Sequence, residues 1–278
     1  GKPGVHQHQM SYWGMPRAEG LAGTSFWNPD IAERLAIPPL SSIANWQESG
    51  LPKTLVHTHL MSEEPLKFTG MGAIEGAVAN QFVKHQFPIA TKDGSRIHMM
   101  WTDCPCRVTC WNGGNDTELA LRSPQVECIV TQHPWLENDT LWSDIILPAA
   151  GWYEKIGIKY IAAFVPYITL ADRAVLPQGE SKPEWEIFSL LAARVGEEAL
   201  RRGVSEAKGF NGDAHVIDHL GERFSDGGRY GPGAQEELLR FILQVSSASR
   251  GISLEDLRAQ GGAMRIRSLG PPGGTAGI

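Results

Sequence analysis

ECIVTQHPWLENDTLWSDIILPAAGWYEK, residues 127–155, sets two short apolar runs on either side of a small polar insert. Glu127 to Val130, continued by Thr131, reads as a buried strand that His133-Pro134 ends. Leu136 to Trp142 leaves room for about two helical turns, and Asp144 to Leu147 is a further apolar strand stopped by Pro148. A helix between two strands buried on both faces predicts a parallel pair joined by a crossover. Upstream the pattern repeats. RIHMMW, residues 96–101, follows the turn signal KDGS and is apolar nearly throughout; Asn115 to Arg122 suits a short helix, and SPQ is a turn. KTLVHTHL, residues 53–60, alternates as a strand does, which would place His57 and His59 on one face, packed or hydrogen-bonded rather than bound to metal.

Downstream, Tyr160 to Leu170 holds residues that favour strands, and SKPEWEIFSLLAARVG, residues 181–196, is the clearest helix of the chain. Ser181 and Glu184 have capping-box spacing and Pro183 stands in the first turn; Trp185, Phe188, Leu191, Ala192 and Val195 mark one face, and Gly196 is the expected stop. Two further helices are expected at 213–224 and 234–245, between Gly-rich turns. The fold class is therefore α/β, a parallel sheet with flanking helices. Three segments follow: an irregular part with one or two strands over 1–95, whose residues 1–50 are rich in Gly, Pro, Trp and Asn; an α/β domain over 96–200; and a helical connector over 201–278. Trp135, Trp142, Trp152 and Trp185 are expected in the core.

Composition narrows the function. A net charge of −6 with dispersed Lys and Arg offers no basic stripe for nucleic acid, and no run of 18 apolar residues could span a bilayer. Four cysteines are too few for a disulfide scaffold. Three of them form Cys104-Pro105-Cys106 and Cys110, a C-x-C-x3-C spacing without the paired halves of a structural zinc site. A non-catalytic metal-binding module on Cys104, Cys106 and Cys110, with His133 or Cys128, is the rival reading from a different functional class. No G-x-S-x-G elbow or G-x4-G-K-[ST] loop occurs, so ordinary hydrolase or P-loop chemistry has no support. The chain begins at Gly1 without an initiator Met and ends in GPPGGTAGI, which suggests an internal piece of a longer protein.

Open parallel sheets bind ligands outside the carboxyl ends of their strands, where loops diverge. Those ends nominate Thr102, Asp103 and Cys104; Thr131, Gln132 and His133; and Pro148 with the loop to Glu154 and Lys155. The groups are polar donors and acceptors with no evident nucleophile, so this edge is built to bind. Asp144 reads as a residue that turns the chain into its strand rather than as a ligand.

Together with PQGESKPEWEIFSLLAARVG, residues 177–196, the opening stretch resembles the catalytic subunits of the dimethyl-sulfoxide-reductase family of molybdopterin enzymes. Their pattern is a strand, a short helix with a Thr, an A/S-D-[IV]-[IV]-L-P strand, an E-[KR] pair and P-x-G-E-[SA]-K-x-[DE]-W before a helix. The resemblance covers residues 96–197, and GKPGVHQHQMSYWGMP, residues 1–16, resembles a loop of the same proteins that runs toward the cofactor. It implies a Rossmann-like domain that binds one molybdopterin guanine dinucleotide carrying molybdenum or tungsten. By motif matching, Thr131 and Gln132 would hold the guanosine, Lys155 would contact the nucleotide part and Glu184 would accept from guanine N–H groups; Glu184 is equally the N3 residue of a capping box. Thr102, Asp103 and Cys104 occupy the place of a G-G-N-P-like loop and depart from it, and Met15 would approach the other end of the cofactor. Neither an iron–sulfur motif nor a metal-ligand segment is present, nor the family's last, cofactor-covering barrel. The implied protein is a central fragment of an oxidoreductase, inactive in isolation, with any iron–sulfur cluster in missing segments or in an electron-transfer subunit. PWLENDT and the loop starting at Trp101 look most like the transhydroxylase branch, whose small-molecule substrates are hydroxylated aromatics.

Overall fold

The structure, a computed structural model, describes residues 56–61, 63, 97–102, 106–110, 113–160, 167–208, 214–245, 249 and 251–265. These fall into two units, one from residues up to Ala149 with Gly179–Ser181, the other from Ala150–Gln178 and the described residues from Lys182 onward.

In the first unit, α1 (Val56–Met61) precedes β1 (Met99–Thr102), α2 (Arg107–Cys110), α3 (Gly114–Leu121) and β2 (Cys128–His133); a 3-10 helix (Asn138–Trp142) then leads to β3 (Ile145–Pro148). The sheet order is β1-β2-β3 and both pairings are parallel, with Thr102 beside Thr131 and His133 beside Pro148. The predicted parallel α/β arrangement is present, and all three strands end on the same edge. Residues 53–60 were expected to form a strand, but Val56–Met61 is helical. Eight residues of alternation cannot fix a period, and tertiary packing decides here: Leu60, 2% exposed, packs with Ala120, Ile97, Met100 and Val126. Positions 57 and 59 of a helix lie about 200° apart around its axis, so they do not share a face. Between the strands the crossover is tighter than expected, a single 3-10 segment rather than two α-turns.

At the base of the β2–β3 crossover, Asp144 acts as the turn residue anticipated. Its carboxylate accepts from the Ile129 amide at 2.7 Å, and its own amide donates to the Ile129 carbonyl at 2.9 Å. On the other side, Gly114 lets α3 start directly against α2; a Cβ there would stand 2.2 Å from the Val108 carbonyl oxygen.

The second unit holds β4 (Gly157–Tyr160), β5 (Tyr167–Ala171), α4 (Glu184–Arg202), a small antiparallel pair β6 (Glu206–Lys208) and β7 (Ala214–Val216), α5 (Leu220–Phe224), α6 (Gln235–Val245), α7 (Leu254–Ala259) and β8 (Ala263–Arg265). β4, β5 and β8 form an antiparallel sheet in that order. Its core gathers Ile168, Tyr230, Leu238, Phe241, Ile242, Leu243, Leu254 and Leu257, with Trp185 packed against it. The helix expected at 234–245 is found, while 213–224 splits into β7 and α5.

Three details of α4 differ from the sequence reading. Gly196 does not stop it; the helix runs to Arg202 and is closed by Gly203 at φ 67°. A Cβ on Gly196 would lie 3.2 Å from the Leu220 amide nitrogen and 3.3 Å from the Asp218 carbonyl oxygen, so this glycine serves close packing instead of termination. There is no side-chain cap either, because Pro183 holds the N-cap position and Glu184 bonds elsewhere. Finally, the buried stripe is Ile187, Ser189, Ala192, Gly196 and Ala199, whereas Phe188 and Leu191 stand more than a third exposed. Small residues admit the close approach of α5, and the larger apolar ones point elsewhere.

Candidate functional site

β2 runs two residues beyond its expected end at Thr131, because its ladder with β3 extends to His133. Thr131 and Gln132 therefore lie inside the strand at its carboxyl end, fully buried, and not in the loop beyond. The Thr131 hydroxyl is within 2.5 Å of the Ser143 hydroxyl. Gln132 is different. Its Oε1 is enclosed and has no hydrogen-bond donor among the described residues. Burying a polar oxygen without a partner costs about 1–3 kcal/mol, so this acceptor is open to a donor from a water or a ligand.

Below this edge sits a buried ion pair that the sequence did not reveal. Asp139, 0% exposed, accepts from the Arg107 amide and Nε, both at 2.9 Å, and from the Val108 amide at 3.0 Å. One carboxylate thus satisfies the start of α2 and neutralises a guanidinium that is itself buried. The pair ties the 3-10 helix after β2 to the segment that follows β1. Arg107 also directs Nη1 at the Met100 sulfur, 3.7 Å away. Among charged residues in a polar stretch such as Glu-Asn-Asp-Thr, nothing singles out the one that folds inward. The only available signal was the need of α2 for an N-terminal acceptor.

Thr102 is partly buried at the end of β1 beside Thr131. Asp103, Cys104 and Met15 lie outside the described residues, as does the side chain of Cys110. Cys106 and Cys128 are partly buried thiols outside any disulfide, and among the described residues no three His, Cys, Asp or Glu side chains come together as a metal site. Trp135 is 58% exposed and Trp152 59%, which corrects the expectation that both are core; Trp142 lies under the Arg122 guanidinium at 4.1 Å, and Trp185 is packed as expected, stacked on Phe224 at 4.8 Å.

In the second unit, Glu154 staples its loop by accepting from the amides of Gly151 at 2.7 Å and Gln178 at 3.1 Å. Next to it, Lys155 donates to Glu184 and lies 5.2 Å above the Trp152 ring. The Glu184 side chain, expected to cap α4 or to accept from a ligand, is thus engaged by the other nominated residue, Lys155. With the Glu184 side chain 44% exposed, such a pair contributes at most about 1 kcal/mol.

A model of the molybdopterin oxidoreductase family matches residues 52–194, just over half of the chain. The chain belongs to that family. Among curated relatives, the perchlorate reductase subunit alpha of Dechloromonas aromatica is 27% identical over 185 residues, 64% of this chain and 19% of the relative. The pyrogallol hydroxytransferase large subunit of Pelobacter acidigallici is 26% identical over 153 residues, 50% of this chain and 17% of the relative. The respiratory nitrate reductase 1 alpha chain of Escherichia coli is 37% identical over 73 residues, 26% of this chain and 6% of the relative. The chain spans a fifth or less of the length of these family members. Membership implies a molybdopterin cofactor with molybdenum, and the enclosed acceptor of Gln132 fits such a group, whose pterin and any attached nucleotide are rich in N–H and O–H donors. No helix among the described residues is long and apolar enough to cross a membrane.

Proposed function

We propose that this chain is the nucleotide-holding part of a molybdopterin oxidoreductase catalytic subunit, that its parallel unit is Rossmann-like, and that the cofactor is the guanine dinucleotide form with molybdenum or tungsten. The observation that carries this reading is the donorless, buried Oε1 of Gln132 at the carboxyl end of the central strand. Gln132 would accept a hydrogen bond from the guanosine, and Thr131, fixed by Ser143, would orient beside it. Lys155 would contact the nucleotide part as a cation, and Glu184 would accept from guanine N–H groups. Thr102, Asp103, Cys104 and Met15 would complete the contacts. When bound, the cofactor supplies a metal that changes oxidation state by two electrons; the residues named here hold and orient it. The intact protein would transfer an oxygen atom to or from a small-molecule substrate, with hydroxylated aromatics as the class suggested by PWLENDT and by the presence of a hydroxytransferase among the relatives. An iron–sulfur subunit would exchange the electrons, and the isolated chain would be inactive. In the full-length enzyme, Gln132→Ala is expected to weaken cofactor retention by about 1–3 kcal/mol. Molybdenum and pterin per polypeptide, measured by mass spectrometry and fluorescence, should fall while Glu197→Ala stays at wild-type content. Full occupancy in Gln132→Ala would remove this strand end from the cofactor site.

A further inference from the structure

The geometry points to Trp135 as the stacking platform for the base of the bound nucleotide, a role that rests on the reading of this strand end as the guanosine site. Trp135 stands two residues past β2 and is 58% exposed. An exposed tryptophan is ordinarily a mobile surface group, but the ring of this one is held by two contacts and its backbone by a third. Its Nε1–H donates to Glu137 Oε1 at 2.8 Å, its carbonyl accepts from His133 Nδ1 at 3.0 Å, and the His133 ring meets it edge-on at 5.2 Å and 84°. The polar edge of the indole is satisfied and its orientation fixed, which leaves apolar ring surface open to solvent. A ring fixed before binding loses little rotamer freedom when a flat ligand settles on it, and aromatic surfaces prefer offset stacking on planar partners. Three residues earlier in the same stretch stands the donorless acceptor of Gln132. One side chain that reads a hydrogen-bonding edge and one that covers a face are together what recognition of a nucleobase requires.

Stacking scales with ring area, so the platform favours a purine over a pyrimidine nucleotide. The test uses full-length protein prepared without cofactor and titrated with GMP and with CMP by calorimetry. Wild type is expected to bind GMP more tightly than CMP. Trp135→Leu should weaken GMP about 5- to 150-fold, the range of a lost base–aromatic stack, and narrow the gap to CMP, while Trp135→Phe keeps most of the affinity. Unchanged GMP binding in Trp135→Leu with weakened binding in Gln132→Ala overturns the stacking role and leaves the guanosine reading standing. Unchanged binding in both variants, or no GMP uptake by wild type, overturns both. Equal loss in the Leu and Phe variants with a lowered melting temperature assigns Trp135 to structure and overturns the proposal.

Discussion

Asp139 shows how much one side chain can hold. Its carboxylate is fully enclosed, accepts three hydrogen bonds and faces a guanidinium whose side chain is 4% exposed. A buried ion pair is weak evidence of net stabilisation, since desolvation offsets most of the attraction, yet removing one partner strands the other charge. Asp139→Asn keeps the shape and leaves Arg107 uncompensated, with an expected loss of about 3–5 kcal/mol, seen as a lower urea midpoint. Replacing both, Arg107→Met with Asp139→Leu, should recover part of that loss only, because the amides of Arg107 and Val108 also lose their acceptor. A single variant as stable as wild type would show that the pair is dispensable.

At the scale of elements, the crossing of α4 and α5 is shaped by two glycines, Gly196, which the sequence pattern reads as a stop, and Gly221. A Cβ on Gly221 would lie 2.7 Å from the Ala193 Cα, closer than packed atoms allow, whereas one on Gly196 would meet backbone atoms at 3.2 and 3.3 Å. Gly221→Ala is therefore expected to cost about 1–3 kcal/mol from overpacking. Gly196→Ala should cost less, since about 1 kcal/mol of helix propensity returns at an interior helical position. Thermal melts of the two variants check the order; Gly196→Ala melting below Gly221→Ala would contradict this account of the crossing. The capping-box spacing of Ser181 and Glu184 misled for a related reason. Local chemistry permitted the cap, but Lys155, 29 residues away, took the carboxylate.

For the molecule as a whole, ionic contacts join elements far apart in sequence. Arg258 on α7 donates through Nε and Nη2 to Asp172 after β5, at 2.7 and 3.1 Å, and through Nη1 and Nη2 to Glu236 on α6, at 2.9 and 3.1 Å. The hydrogen bonds from Arg258 hold both carboxyls below their ordinary values. Groups with depressed folded pKa values stabilise the protein above the usual carboxylate range, and that contribution is lost as the pH falls through the folded values. The side chains are 35–46% exposed, so solvent limits the network to on the order of 1 kcal/mol. Arg258→Met should lower stability by that amount at pH 7, and the difference from wild type should shrink below about pH 4 and in high salt. Denaturant titrations across pH measure it; a difference that persists at pH 2 would mean that Arg258 acts through packing.

The parallel strands ending at Thr102, His133 and Pro148, the helices at 114–121 and 235–245 and the family pattern through residues 127–196 were legible because apolar runs, turn residues and motif spacing are local quantities. Thr131 and Gln132 could be nominated from strand ends alone. Tertiary structure alone decided which polar atoms were left without partners and which charges went inside: the enclosed Oε1 of Gln132, the inward turn of Asp139 onto Arg107, the exposure of Trp135 and the helix at Val56–Met61. Each depends on which segments the fold packs around the group, and a sequence read along its length records which groups can bond, not which neighbours the fold delivers to them.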